Sequence, residues 1–343
     1  METVIEAEQL PGPMPSSARP GPFSLSVIVP MYNEAEVVDA FLETLLPICR
    51  SLTDDFEILC VDDGSVDATA RLVAAWIERE PAISLMVFTR NFGKEAALTA
   101  LIDHASGDAV VSIDADLQQP PATIPKLVAK WQEGYDTVCA RRADRGTDGK
   151  MRALFSRNFY RFFNRIADTS IPLEVSDFRL LDRSVVDALK RLPERTRFMK
   201  GLFAWVGFST AVISYEHSER AGGASSFKFW KLWNLALDGI TSFSTFPLRV
   251  WSYLGIIAAF FAFLYGSFIL LRTLVFGVDV PGYASLLVFV LFLGGIQLIS
   301  LGVIGEYLGR LMIEAKGRPL YLVRERLNLQ DRHGQDGEKE PRR

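Results

Sequence analysis

The chain has 343 residues, 49% of them hydrophobic, enough to bury a sizeable core and to build more than one structural unit. Its 41 acidic residues outnumber 37 basic ones, for a formal charge of −4, which argues against a general nucleic-acid binder. Three cysteines without CxxC spacing and three scattered histidines offer neither a disulfide framework nor a zinc site, and they suit a reducing compartment.

Residues 1–23 begin METVIEAEQLPGPMPSSARPGP, acidic and proline-rich with no apolar core. They read as a mobile tail, not a signal peptide. Strand-like and helix-like runs then alternate, the pattern of a largely parallel α/β sheet. Strands are expected at 25–30, 56–63, 83–89 and 108–114, and helices at 34–52, 67–80 and 94–105. Polar or glycine-bearing turns follow the carboxyl ends of these strands, the edge where open α/β sheets bind ligands.

Three of those turns carry candidate chemistry. In VPMYNE (29–34), Pro30 ends the strand and Tyr32 offers a ring for stacking. In VDDGSVD (61–67), Gly64 lets the backbone approach a ligand closely. Glu34 and Asp62 can accept hydrogen bonds from a base or ribose, whereas Asp67 reads more simply as a helix cap. In SIDADLQQPP (112–121), Asp114, Asp116 and Gln118 recur at every second position before a double proline. In an extended chain they would point the same way. Hard oxygens so placed suit Mg²⁺ or Mn²⁺ held together with a substrate's phosphates, although two aspartates at a strand end also serve simply to solvate a turn. Together the loops outline a nucleotide diphosphate site.

Beyond residue 140 the character changes. Residues 141–165 are rich in arginine and aromatic side chains. Arg157, Arg161 and Arg165 would form one stripe on a helix, either a solvated face or a surface for phosphates or anionic headgroups. Residues 226–249 mix Phe227, Phe229, Trp230 and Trp233 with Lys228 and Lys231, which suits an interfacial helix. The runs 250–271 and 284–305 contain no Asp, Glu, Lys or Arg and match the ~20 residues that cross a bilayer. They read as a transmembrane hairpin, residues 250–305. Its link, 277–283, has no basic residue, while Lys228, Lys231 and Arg249 precede it and Arg310, Lys316 and Arg318 follow it. The positive-inside rule then puts the large N-terminal domain and both termini in the cytoplasm, on a multi-pass protein of the inner membrane. Gly255, Gly266, Gly294, Gly295 and Gly302 suit packing of spans in a homo-oligomer, or are only the usual glycine excess of membrane helices. The remainder, 306–343, reads as a cytoplasmic segment that is disordered from about Arg324.

The motifs SVIVPMYNE, ILCVDDGSVD, RNFGKEAAL and SIDADLQQPP, in this order and spacing, resemble the family 2 glycosyltransferases of GT-A fold. More narrowly they resemble the polyprenyl-phosphate glycosyltransferases, which include dolichyl-phosphate mannose synthases and bacterial undecaprenyl-phosphate glucosyltransferases. SDFRLLDR (176–183), DGITSFSTFPLR (238–249) and GVIGEYLGRLMIEAKGRPLYLV (302–323) extend the resemblance over about residues 24–324. It implies a Rossmann-like GT-A domain at 24–225, followed by the interfacial helix and the hairpin.

The resemblance also implies roles. Pro30, Tyr32, Glu34 and Asp62 would hold the nucleoside together with Asp114, and Asp114, Asp116 and Gln118 would bind the metal. Arg142 and Arg157 would face the diphosphate or the acceptor phosphate. Asp177 and Arg179 would sit at the sugar or acceptor end, so that Asp116, Arg142, Asp177 and Arg179 form the expected catalytic set. The family's Arg-x-x-Gly-x-Ser-Lys pattern is met at Arg220, Gly223 and Ser225, but Ser226 stands where the lysine would be. Lys228 is the expected substitute beside Arg220 for phosphate contact. The implied reaction moves one sugar from a nucleotide donor to a membrane polyprenyl phosphate with inversion. An acceptor that is already anionic needs no catalytic histidine. UDP-glucose is the first expected donor. GDP-mannose, a UDP-N-acetylhexosamine or a UDP-amino-arabinose are alternatives, and a non-catalytic nucleotide-sugar sensor is the reading from another class.

Overall fold

The computed structural model describes residues 8–9, 13–142, 175–195, 197–215, 246–276 and 282–329. They fall into two units, a sheet unit that the chain rejoins at Pro319 and a helical unit lying within 229–318.

The sheet unit is built from β1 (Glu8–Gln9), β2 (Leu25–Met31), α1 (Val38–Leu52), β3 (Phe56–Asp62), α2 (Thr69–Ile77), β4 (Ile83–Phe88) and α3 (Lys94–His104). It continues with β5 (Ala109–Ser112), α4 (Ile124–Gln132), β6 (Thr137–Arg142), β7 (Val175–Asp182), α5 (Arg183–Lys190), α6 (Met199–Trp205) and β8 (Thr210–Tyr215). A last strand, β9 (Val323–Leu327), follows the helical unit. All nine strands share one sheet in the order β1-β8-β6-β7-β5-β2-β3-β4-β9.

Strands β5, β2, β3 and β4 are mutually parallel, whereas β7 is antiparallel to both β5 and β6. Every residue of β4 is buried, and β2 is buried except at Pro30. Continuous apolar runs of this kind belong to strands covered by helices on both faces. On one face α1 buries Val38, Phe41, Leu42, Leu45, Leu46 and Cys49, a helical spacing of apolar positions. Each large apolar side chain so buried contributes about 1.5–3 kcal/mol. The three cysteines are free and buried, and burial pushes the Cys49 and Cys60 thiols up to about 12.

The topology decides where a ligand fits. Strand β2 has β3 on one side and β5 on the other, so the winding of the sheet reverses between β2 and β5. A crevice opens beyond the carboxyl ends of strands at such a switch point, which brings residues 30–34 beside residues 113–119.

Three features depart from the sequence-based expectations. The fourth strand ends at Ser112, opposite Arg179, and Leu117 in the following turn has φ 57°. Asp114, Asp116 and Gln118 therefore do not share a face through strand alternation. Within the expected tail, Ser16 donates its N–H to Gly134 O at 2.9 Å, and Arg19 pairs with Asp136 at 2.7 Å and Asp182 at 3.2 Å. The third feature is β9, placed where disorder was expected from about Arg324. It pairs antiparallel with β4, from Leu85 opposite Leu327 to Phe88 opposite Val323. An edge strand needs one bonded neighbour and tolerates charged side chains, so VRERL carries no apolar signal.

The helical unit contains α7 (Phe246–Phe276) and α8 (Tyr283–Ala315). The stretches Tyr253–Phe276 and Phe292–Ala315, with mean hydropathy 2.4 and 1.4, are long and apolar enough to cross a membrane. The expected spans 250–271 and 284–305 lie inside these helices. Tyr265 stacks on Phe289 at 5.7 Å. Among the described residues, nothing outside the local helix backbone lies within 4 Å of where a Cβ would stand at Gly255, Gly266, Gly294, Gly295 or Gly302. Of the expected interfacial helix, residues 226–245 lie outside the described residues.

Candidate active site at the sheet switch point

The loops after β2 and β3 are bound to each other. Asn33, at φ 55°, donates its N–H to Ser65 Oγ at 2.9 Å, and its Oδ1 accepts the Val66 N–H at 3.0 Å. Glu34 N–H reaches Thr69 Oγ1 at 2.9 Å. Asp67 accepts the N–H groups of Thr69 at 3.0 Å and Ala35 at 3.1 Å, so it ties the start of α2 to the β2 loop. Its carboxyl is lowered because these bonds and the Thr69 hydroxyl outweigh burial.

The adjacent aspartates divide their work. Asp62 is 1% exposed and accepts the Ser65 hydroxyl and, at 3.2 Å, the Ser65 N–H. Asp63 accepts the Phe92 and Gly93 N–H groups at 2.7 and 2.9 Å, which fixes the entry to α3. Burial raises both carboxyls. Gly64, at φ 69°, passes so near Arg90 that a Cβ would lie 2.4 Å from its carbonyl carbon. Only glycine fits that turn.

After β5 the turn closes on itself. Gln119 Oε1 accepts the Asp114 N–H at 3.0 Å, and its Nε2 donates to Asp114 Oδ2 at 2.9 Å. Asp116 Oδ1 accepts the Gln118 N–H at 3.1 Å. Local bonds of this kind compete with the sheet ladder, which explains why β5 stops early.

Lys94, the first residue of α3, joins this loop to β7. Its Nζ lies 2.6 and 2.8 Å from the two carboxylate oxygens of Asp114 and 3.2 Å from Asp177 Oδ2. Burial opposes the ammonium charge, but Asp114 and then Asp177 outweigh it and raise the Lys94 pKa. Asp177 is lowered: Lys94, Lys200 and Arg179 overcome its burial. Glu95, the next residue, is pushed up to about 7, by burial first and Asp177 second. Its Oε2 accepts the Met199 N–H at 3.2 Å.

A cleft of about 390 Å³ opens at this edge, lined in part by Pro30, Tyr32, Glu34, Asp114 and Asp116. Asp63 lines it where Asp62 does not, and Gln118 is likewise outside the lining. Asp177 is connected to the cleft through Lys94. Arg179 is 4% exposed, with its guanidinium 4.0 Å from the Phe203 ring centre. Arg142 is the last residue of β6. Arg157, Arg220 and Lys228 lie outside the described residues. Among the described residues no three His, Cys, Asp or Glu side chains converge as a metal site.

Sequence reasoning missed Asp63, Lys94 and Gln119. Lys94 carried a usable signal, because a cation at the first position of a helix opposes the helix dipole and needs carboxylates to hold it.

The SfII prophage-derived bactoprenol glucosyl transferase of Shigella flexneri is 51% identical over 300 residues, covering 88% of this chain and 97% of that protein. The model of Glycosyl transferase family 2 matches residues 26–190. The chain belongs to glycosyl transferase family 2. Similar relatives include the bactoprenol glucosyl transferase of Shigella phage SfV, 51% identical over 88% of this chain and 98% of that one. The prophage bactoprenol glucosyl transferase homolog of Escherichia coli K12 is 49% identical, again over 88% and 98%. The chain is thus a glycosyltransferase, and its mixed, Rossmann-like sheet is the GT-A architecture implied by the motifs. The family match takes in every described residue that lines the cleft.

Proposed function

We propose that this glycosyltransferase moves one glucosyl unit from UDP-glucose to the phosphate of a polyprenol of the undecaprenyl class, with inversion at the anomeric carbon. The observation that carries this reading is the union, in one chain, of an acidic cleft at the switch point with two membrane-length apolar helices. Relatives named bactoprenol glucosyl transferases support both the glucosyl donor and the lipid acceptor. The charge asymmetry around the hairpin supports a cytoplasmic catalytic domain on the inner membrane, and the span glycines, open among the described residues, support homo-oligomers.

Among the described residues the cleft lining carries Glu34, Asp63, Asp114 and Asp116 against Lys94, a negative formal balance. That acidic side of the cleft favours a nucleoside diphosphate only with added positive charge. Mg²⁺ or Mn²⁺ fits that need, because such ions bind through one or two carboxylates and the substrate's own phosphates. Asp114 and Asp116 are the proposed carboxylates, with Gln118 beside them. When bound, the ion would offset charge on the leaving diphosphate.

The protein's own part is placement. Tyr32 is 46% exposed in the lining and is available to stack on a base. Pro30, Glu34 and the turn held by Asp62 are assigned to the nucleoside end. The acceptor phosphate is already anionic near neutral pH, so no side chain has to deprotonate it. What remains is alignment of its oxygen with the anomeric carbon and binding of phosphates by Arg142, Arg157, Arg220 and Lys228, arginine's planar fork being suited to paired oxygens. Asp177 and Arg179 are assigned to the sugar or acceptor end.

Thermal unfolding with UDP, GDP, UDP-glucose, UDP-N-acetylglucosamine and GDP-mannose, each with Mn²⁺, tests the donor assignment. UDP and UDP-glucose should raise Tm and the guanosine compounds should not. Preferential stabilisation by GDP-mannose would move the assignment to a mannosyl donor.

A further inference from the structure

The position of Lys94 is at odds with its charge. It opens α3, where unpaired N–H groups and the helix dipole disfavour a cation. Yet its ammonium bridges two strands' worth of acid: both oxygens of Asp114 after β5, at 2.6 and 2.8 Å, and Asp177 of β7 at 3.2 Å. Among the described residues it is the one cationic side chain that lines the cleft. The ammonium thus takes both oxygens of a carboxylate assigned above to a divalent ion. A Mg²⁺-sized ion binds oxygen at about 2.0–2.1 Å, so an ion on Asp114 would stand almost in contact with the Lys94 nitrogen. The two cations compete for one carboxylate.

We propose that Lys94 is a positioning residue that holds Asp114 in a lysine-paired, donor-free state and exchanges it for the divalent ion when the donor diphosphate arrives. The diphosphate makes the exchange favourable, because its negative charges accommodate both cations at once. Without it, the ion must displace the ammonium unaided. Metal and nucleotide therefore reinforce each other's binding, and by linkage the reinforcement is mutual. The cleft is kept from holding a bare metal ion or a metal-free diphosphate.

This inference rests on the metal reading of the proposed function, and the test separates the two. Mn²⁺ binding is followed by electron paramagnetic resonance on the full-length protein, with and without UDP, for wild type, Lys94→Met and Lys94→Gln. Wild type should bind Mn²⁺ weakly alone and at least about tenfold more tightly with UDP. Both variants should bind Mn²⁺ alone about tenfold more tightly than wild type, and the gain from UDP should shrink. If the variants bind Mn²⁺ alone no more tightly than wild type, Lys94 is a fixed structural ion pair and the inference fails while the metal reading stands. If no form binds Mn²⁺ even with UDP, both fail. A wild-type measurement covers the case in which the variants do not fold. Acylation of Lys94, read by mass spectrometry, should rise severalfold at saturating Mn²⁺ as the ammonium leaves Asp114. Unchanged labelling overturns the exchange.

Discussion

Gln119 clasps Asp114 with both ends of its carboxamide, accepting the Asp114 N–H at 3.0 Å and donating to its Oδ2 at 2.9 Å. One side chain thereby fixes both the backbone and the carboxylate of the residue that faces the cleft. Gln119→Leu should lower kcat by about 10–100-fold, the usual effect of losing a partner that orients a ligand. Lost hydrogen bonds should reduce stability by only about 1–3 kcal/mol. Steady-state kinetics beside chemical denaturation separate the two effects, and a stability loss without a kinetic one would remove the orienting role.

Among the described residues Asp116 accepts one hydrogen bond, from the Gln118 N–H at 3.1 Å within its own turn. Asp116→Ala should therefore fold normally, with Tm within a few degrees of wild type. Its turnover should fall by at least about 10³-fold if several kcal/mol of charge stabilisation depend on that carboxylate. Normal turnover in this variant would remove Asp116 from the metal assignment.

The strand that follows the membrane-length helices should be part of the folding unit. Tyr321 stacks on Phe88 at 5.0 Å, and burial first and Asp103 second push its phenol up to about 12. Asn328 Nδ2 donates to Pro81 O and Ile83 O, each at 2.8 Å. Tyr321 is half-buried, so Tyr321→Ala should destabilise the sheet unit by about 1–3 kcal/mol, less than the loss of a fully buried aromatic, and Asn328→Ala by about 1–3 kcal/mol. Removal of residues 321–343 should leave the β4 edge open and give aggregated protein on size-exclusion chromatography.

Glu95 supplies a pH dependence. Its carboxyl shifts from 4.5 to about 7 on folding, so the folded state resists its ionisation. The associated loss of stability is absent below pH 4.5, grows through the interval up to about 7 and is constant above it. Glu95→Gln keeps an acceptor for the Met199 N–H and removes the charge. It should raise stability over wild type by about 1–3 kcal/mol at pH 8 and by almost nothing at pH 4. Denaturation at the two pH values provides the check, and an equal effect at both would contradict the shift.

The parallel core was legible because Leu25–Met31, Phe56–Asp62 and Ile83–Phe88 are largely buried, mostly apolar runs that end in polar turns. The same turns revealed Pro30, Tyr32, Glu34, Asp114 and Asp116 as cleft residues. Strand β9 was hidden because its outward side chains are charged and only its pairing with β4 defines it. Alternation does not carry as far as Gln118, because β5 ends at Ser112 and Leu117 turns the chain with φ 57°. Lys94 and Gln119 act by reaching across to Asp114, and such contacts depend on the folded loop.

The most direct test of the account reconstitutes purified protein into liposomes containing undecaprenyl phosphate and Mg²⁺, supplies labelled UDP-glucose and follows label into the organic phase. Wild type should yield a lipid carrying one glucose, and Asp116→Ala should yield none. Nucleotide binding without any lipid-linked product, across UDP- and GDP-sugar donors alike, would contradict transfer to a polyprenyl phosphate and favour a membrane-anchored nucleotide-sugar sensor.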